Sequence, residues 1–210
     1  MDLLNGADMG CIIISDALVM LMVPGLALFY GGMVRSKNVL SITVQNYAAL
    51  VIISLQWIFI GYSLAFGPDA GGVIGGFDWS FLKNIGIAPN ADYAGTIPHL
   101  EFVIFQLMFS AITVAVISGS VAERMTFPAF IVFALLWSTL VYDPITHWVW
   151  ATNGWLKNLG VLDFAGGHPV EINSGISGLV AAIVIGKRKN ASPEPHHIPM
   201  AILGGGLLWF

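Results

Sequence analysis

The stretch VLSITVQNYAALVIISLQWIFIGYSL, positions 39–64, decides the fold class. It carries no Asp, Glu, Lys or Arg. It is long enough to cross the hydrocarbon core as one helix, which takes about 20 mainly apolar residues. Similar runs lie on both sides of it. They predict membrane-spanning helices over about 9–34, 40–65, 99–121, 126–142 and 169–186. Pro24-Gly25 is expected to kink the first. Pro128 suits the first turn of the fourth, where its missing N–H costs little. A sixth apolar run starts near Ile198 and reaches Phe210, about 13 residues and too short to cross.

Composition agrees. The 210 residues are 57% hydrophobic and 10% charged, against about 25% charged in a typical soluble domain. The mean hydropathy is +0.82. A chain this apolar needs lipid to cover it. The net charge of −4 and the scattered basic residues exclude a nucleic-acid partner. One cysteine, Cys11, excludes a disulfide framework and a thiolate metal cluster; it reads as a small core residue. The acidic start MDLLNGADMG, followed by a long apolar run, does not look like a cleavable leader, so the first run is expected to be retained as a span.

Basic residues orient the spans. Arg35, Lys37, Arg124, Lys187, Arg188 and Lys189 follow alternate spans and define one side, assigned as cytoplasmic. Lys83 and Lys157 fall on the other side, among Asp69, Asp78, Asp92 and Asp143. The N-terminus is thereby expected outside a cell membrane.

The fifth span carries a small-residue surface of Ser174, Gly175, Ser177, Gly178, Ala181 and Ala182. Such spacing lets helix backbones approach closely. Ile172, Ile176, Leu179 and Ile183 form another stripe, directed to lipid or a bulky neighbour.

Polar groups at membrane depth are costly and therefore candidates for function. Glu171 opens the fifth span. It reads either as a carboxylate that caps or pairs locally, or as a group on a transport pathway. Asp163 precedes Phe164-Ala165-Gly166-Gly167, a turn rich in free N–H groups. It reads as a brace for that turn, with direct attraction of cations as the other role. Phe105 and Phe109 share a helix face; alone, such a stripe reads as core. Trp148, Trp150 and Trp155 are expected in a loop between spans four and five. Trp150 is then an interfacial anchor or a π-face for a cation. None of the histidines His99, His147, His168, His196 and His197 has ligand spacing for a metal, and His196-His197 read as a solvated loop. The Asn190-Ala191-Ser192 triplet fits a glycosylation acceptor but falls on the predicted cytoplasmic side.

Five segments together carry a resemblance. They are PGLALFYGGMVRSKNVLS at 24–41, GYSLAFG at 61–67, FQLMFSAIT at 105–113, SVAERM at 120–125 and LDFAGGHPVEINSGISG at 162–178, the last closing on Gly186-Lys187-Arg188. With these, the chain resembles the ammonium transporter (Amt/Mep/Rh) family, Amt/Mep branch, along nearly its whole length. The resemblance implies an all-α, polytopic transmembrane helical bundle. The family fold has eleven helices around an apolar pore, assembled as a homotrimer, and its first ten helices form two inverted repeats. Residues 1–190 then correspond to the first five-helix repeat, and 191–210 to the connector and the start of the second. A half without its opposite wall is expected not to transport by itself.

Residue by residue, the resemblance gives Phe105 and Phe109 as the stacked phenylalanine gate. Trp150, Phe109 and Ala165 become the outer recruitment site, Trp150 through its π-face and Ala165 through its carbonyl. Asp163 matches the acid of that site, structural with some electrostatic help. Glu171 is a departure: most members have there the first histidine of a pore pair, and some have glutamate. A carboxylate offers no donor unless protonated. The implied function is passage of ammonium or ammonia, with methylammonium as an analogue, through a lipid bilayer. NH4+ is recruited at aromatic faces, dehydrated past the gate and deprotonated, with Glu171 as proton acceptor. An ammonium sensor on the same scaffold and a transport-inactive half are the alternatives. An intramembrane hydrolase lacks a paired nucleophile and base, so no enzyme activity is expected. No cofactor is implied; a cytoplasmic PII-type regulator is.

Overall fold

A computed structural model describes residues 4–189 and 194–210; the Asn190 triplet lies outside these. Five helical segments are long and apolar enough to cross a membrane: Gly6–Met33, Ser36–Phe66, His99–Val121, Phe127–Asn158 and Gly167–Ile185. The first is a single helix, α1 (Gly6–Met33), unbroken through Pro24. Asn5 caps it, its side chain accepting from the Ala7 N–H at 2.9 Å. The second comprises α2 (Val39–Gln56), a π turn (Trp57–Gly61) and α3 (Tyr62–Phe66). The third is α4 (His99–Val121).

The fourth span differs from its sequence reading. After α5 (Phe127–Trp137) the chain passes through a π turn (Ser138–Tyr142) into α6 (Asp143–Trp150), then reaches the short α7 (Trp155–Asn158). Trp148 and Trp150 therefore stand on a helix, not in a loop. Asp143 is fully buried (0% exposed), not in an outer connection. Asp143-Pro144 looks like a helix stop in sequence, yet the helical span continues through Pro144, which follows directly on the wider π turn. Gln56 of α2 donates its amide to the Asp143 carboxylate at 2.7 Å, which makes the burial tolerable.

The outer connection after α3 holds a two-residue hairpin, β1 (Asp69–Ala70) with β2 (Ile74–Gly75). The fifth span opens with a π turn (Gly167–Ile172) and continues as α8 (Asn173–Ile185). The last helix, α9 (Ile198–Trp209), lies along α1.

The core forms around α4, which packs against α1, α2 and α8. Small residues make the close crossings. Ser174 and Gly178 of α8 are buried, and a side chain on Gly178 would collide with the Ser120 hydroxyl of α4. Ile172, Ile176, Leu179 and Ile183 are exposed on the other face of this segment. Cys11 is also exposed, not in the core, because nothing among the described residues covers its side of α1.

The basic residues assigned to one side do meet at one end of the bundle. Arg35 pairs with Glu123 at 3.0 Å, and Asn38 donates to the same carboxylate oxygen at 2.6 Å. Arg124 donates to the Gly186 carbonyl at 2.7 Å and also to the Ser120 carbonyl. Arg188 reaches back to the Gly119 carbonyl at 2.9 Å. Guanidinium groups thus fill the free carbonyls at the ends of α4 and α8. His196 and His197 are exposed as a solvated loop would be, yet both are engaged. His196 bonds the Val34 carbonyl at 2.7 Å, and His197 accepts from the Met200 N–H at 3.0 Å, capping α9.

Candidate functional site

At the end of the bundle opposite the arginines, the loop before the fifth span is organised by one carboxylate. The Asp163 side chain is 2% exposed. One of its oxygens accepts from the Gly166 N–H at 2.7 Å and the Gly167 N–H at 3.0 Å. The other accepts from the His168 N–H at 2.7 Å and lies 2.8 Å from His168 Nδ1. Burial works to raise its pKa. The His168 backbone and ring and the two glycine N–H groups outweigh that and hold the carboxyl below the usual aspartate range.

Gly166 sits at φ 96°, in the left-handed region that favours glycine. A Cβ there would also press on Val170 at 3.1 Å and on the Trp150 ring at 3.4 Å. The Gly166 carbonyl then accepts from the Val170 N–H at 2.9 Å and the Glu171 N–H at 3.4 Å. Asp163 therefore fixes the turn from which the Glu171 segment hangs.

Trp150 is the last residue of α6, and its ring N–H donates to the Asp163 carbonyl at 3.1 Å. This bond fixes the indole plane against the loop. The Phe109 ring of α4 stands 6.4 Å from Trp150. Phe105 and Phe109 meet at 4.9 Å with their planes at 80°, edge to face and not stacked. Around these rings lies a cavity of about 260 Å³. Phe105, Phe109, Trp150, Asp163 and Ala165 all line it, which unites five of the residues singled out in the sequence. Glu171 does not line it. It is exposed, on the π turn that continues from the loop.

The cavity has walls the sequence did not announce: Phe66, Tyr93, Phe102, Asp92, Gln106 and Lys157. Tyr93 is fixed by its hydroxyl, which donates to the Phe66 carbonyl at 2.7 Å. Its ring stacks on Phe102 at 5.5 Å. Gln106 lies one residue from Phe105 but is itself buried (8% exposed), with its side-chain carbonyl unpartnered. No local pattern marks these residues, because they come from four separated segments. The π turns were also missed. Each inserts one residue into a helix, and the feature recurs at functional sites. An acid followed by proline inside an apolar run, as at Asp143-Pro144, was the available signal for one of them.

Five apolar spans, with α4 packed against three of the others and an aromatic cavity at one end, define a polytopic helical membrane protein. The family model described as Ammonium Transporter Family matches residues 10–210. The chain is 53% identical over 194 residues to an ammonium transporter of Bacillus subtilis (strain 168), covering 92% of this chain and 47% of that protein. It is 47% identical over 210 residues to an ammonium transporter of Aquifex aeolicus (strain VF5), covering 99% of this chain and 48% of that one. Among solved structures, Saccharomyces cerevisiae Mep2 superposes with a TM-score of 0.90 at 39% identity, over 99% of this chain and 47% of that chain. A structure described as a Sensor Amt Protein gives 0.83 at 31% identity, over 94% and 51%. The chain belongs to the ammonium transporter family, in its Amt/Mep branch, and corresponds to an N-terminal half. It spans about half the length of the curated relatives it matches.

Proposed function

We propose that this chain forms the recruiting half of a pore that passes ammonium across a membrane. The observation that carries the proposal is the aromatic cavity: the rings of Phe105, Phe109 and Trp150 beside Asp92, Asp163 and Ala165, in a member of this family. Ring faces attract a cation electrostatically, and the two carboxylates raise its local concentration. NH4+ is small and loses its hydration at a cost that aromatic faces and the Ala165 carbonyl offset. Phe105 and Phe109 close the inner side of the cavity as the gate. Beyond them NH4+ gives one proton to the Glu171 carboxylate, leaving NH3 and a neutral carboxylic acid. Asp163 holds the vestibule in shape and adds its charge. A homotrimer, a PII-type cytoplasmic regulator and an outward N-terminus belong to the same reading.

Trp150→Ala and Phe109→Ala in the full-length protein are expected to raise the half-saturation concentration for methylammonium uptake by about 5- to 30-fold. That range corresponds to a desolvated cation–π contact of roughly 1–2 kcal/mol. Unchanged half-saturation in both variants sinks the recruitment reading. A carboxylate only accepts at this position, whereas a neutral imidazole both donates and accepts. Glu171→His is therefore expected to shift the pH–uptake profile. Superimposable profiles for the two proteins count against a pore role for Glu171.

The likeness to the Sensor Amt Protein supports a second reading, in which the same cavity binds ammonium to report it. Binding without uptake in proteoliposomes would select it.

A further inference from the structure

One cation is already built into the cavity. Lys157 of α7 lines it, and its ammonium group donates to the Trp150 carbonyl at 3.0 Å. Trp150 ends α6, so this carbonyl lies at the negative end of a helix, where a cation is favoured. An alkylammonium head is the same donor that NH4+ or methylammonium presents. The chain thus carries its own analogue of the substrate, on an exposed, flexible arm. Among the lining groups Asp92 and Asp163 contribute two negative charges and Lys157 one positive, a sum of −1; a neutral residue at 157 makes it −2.

We propose that Lys157 is a tethered cation that competes with the incoming ammonium ion for the outer cavity and so sets its apparent affinity. This rests on the recruitment reading above. The plainer role of Lys157, capping the end of α6, predicts no dependence on salt beyond that of the unaltered protein. Competition predicts one, because two like charges several ångströms apart in a water-filled cavity repel by an amount that added ions screen.

The test is methylammonium uptake by the full-length protein in proteoliposomes at two ionic strengths. Lys157→Gln is expected to lower the half-saturation concentration about threefold at ~10 mM salt, where the Debye length is about 30 Å. The difference is expected to shrink toward none near ~0.5 M salt, where it is only a few ångströms. Lys157→Arg keeps the charge and should keep the original value. A Lys157→Gln half-saturation that is unchanged or raised at low salt overturns the proposal, as does a decrease that salt does not diminish. Trp150→Ala, measured alongside, separates the two readings. If it weakens recruitment while Lys157→Gln does nothing, only the competition fails. If neither variant changes the half-saturation, the outer cavity is not the recruitment site and both fail.

Discussion

Asp163→Ala is expected to lower the apparent unfolding temperature of the detergent-solubilised full-length protein by about 6–20 °C and to abolish ammonium uptake. The substitution removes the acceptor of the Gly166, Gly167 and His168 N–H groups and the partner of the His168 ring, all within 3.0 Å. Breaking a buried charged network by deleting one partner costs roughly 3–5 kcal/mol, and each kcal/mol moves the midpoint by about 2–4 °C. The loss should reach Glu171, whose turn hangs from the Gly166 carbonyl. Asp163→Asn keeps one acceptor oxygen and should fall between the two. A wild-type midpoint in the alanine variant would show that the loop is held by something else.

Acid gives an independent check. The Asp163 carboxyl sits below its ordinary range in the folded chain, whereas an unfolded aspartate titrates near about 3.9. Its stabilisation is therefore complete above about pH 5 and is lost as pH falls through the folded value. The gap in midpoint between the parent and Asp163→Ala should be flat from about pH 8 to 5 and narrow below about 4. A gap that widens on acidification contradicts the assignment.

Gly204→Ala should also be damaging, for a different reason. Its new Cβ would meet the Gly25 carbonyl oxygen at 2.5 Å and collide with the Phe29 backbone nitrogen. Backbone cannot step aside as a flexible side chain can, so α9 must move off α1. Overpacking of this kind costs about 1–3 kcal/mol or more, which predicts a midpoint lower by several degrees. Gly206→Ala, two residues on, meets nothing within 4 Å and gains up to about 1 kcal/mol of helix propensity. It should be neutral or stabilising. Equal effects for the two substitutions would remove close helix approach as the reason for the glycines.

Much of the site was legible because its key segment is local. Asp163 and the glycines it holds are adjacent in the chain, and a carboxylate before a small-residue turn has few other partners within reach. Glu171 stood out because a charge at the start of an apolar span is costly. The residues that close the cavity were not legible in the same way. Tyr93 comes from the outer connection, Phe66 from the end of the second span and Lys157 from the short α7. Their types are ordinary for an outer interface, where aromatics and lysines are common.

Five apolar spans, the end at which the arginines gather and the close approach through Ser174 and Gly178 of α8 are readable from the chain alone, whereas Gly175 of the same small-residue surface stands exposed. These follow from hydropathy, charge and i, i+4 spacing, which act over a few turns of one helix. The end of the fourth span, the burial of Asp143 against Gln56 and the edge-to-face meeting of Phe105 and Phe109 came only with the packed fold. Those outcomes depend on what a neighbouring helix offers. A buried carboxylate is tolerable only when another span brings it a donor, and ring angles are set by the packing around them.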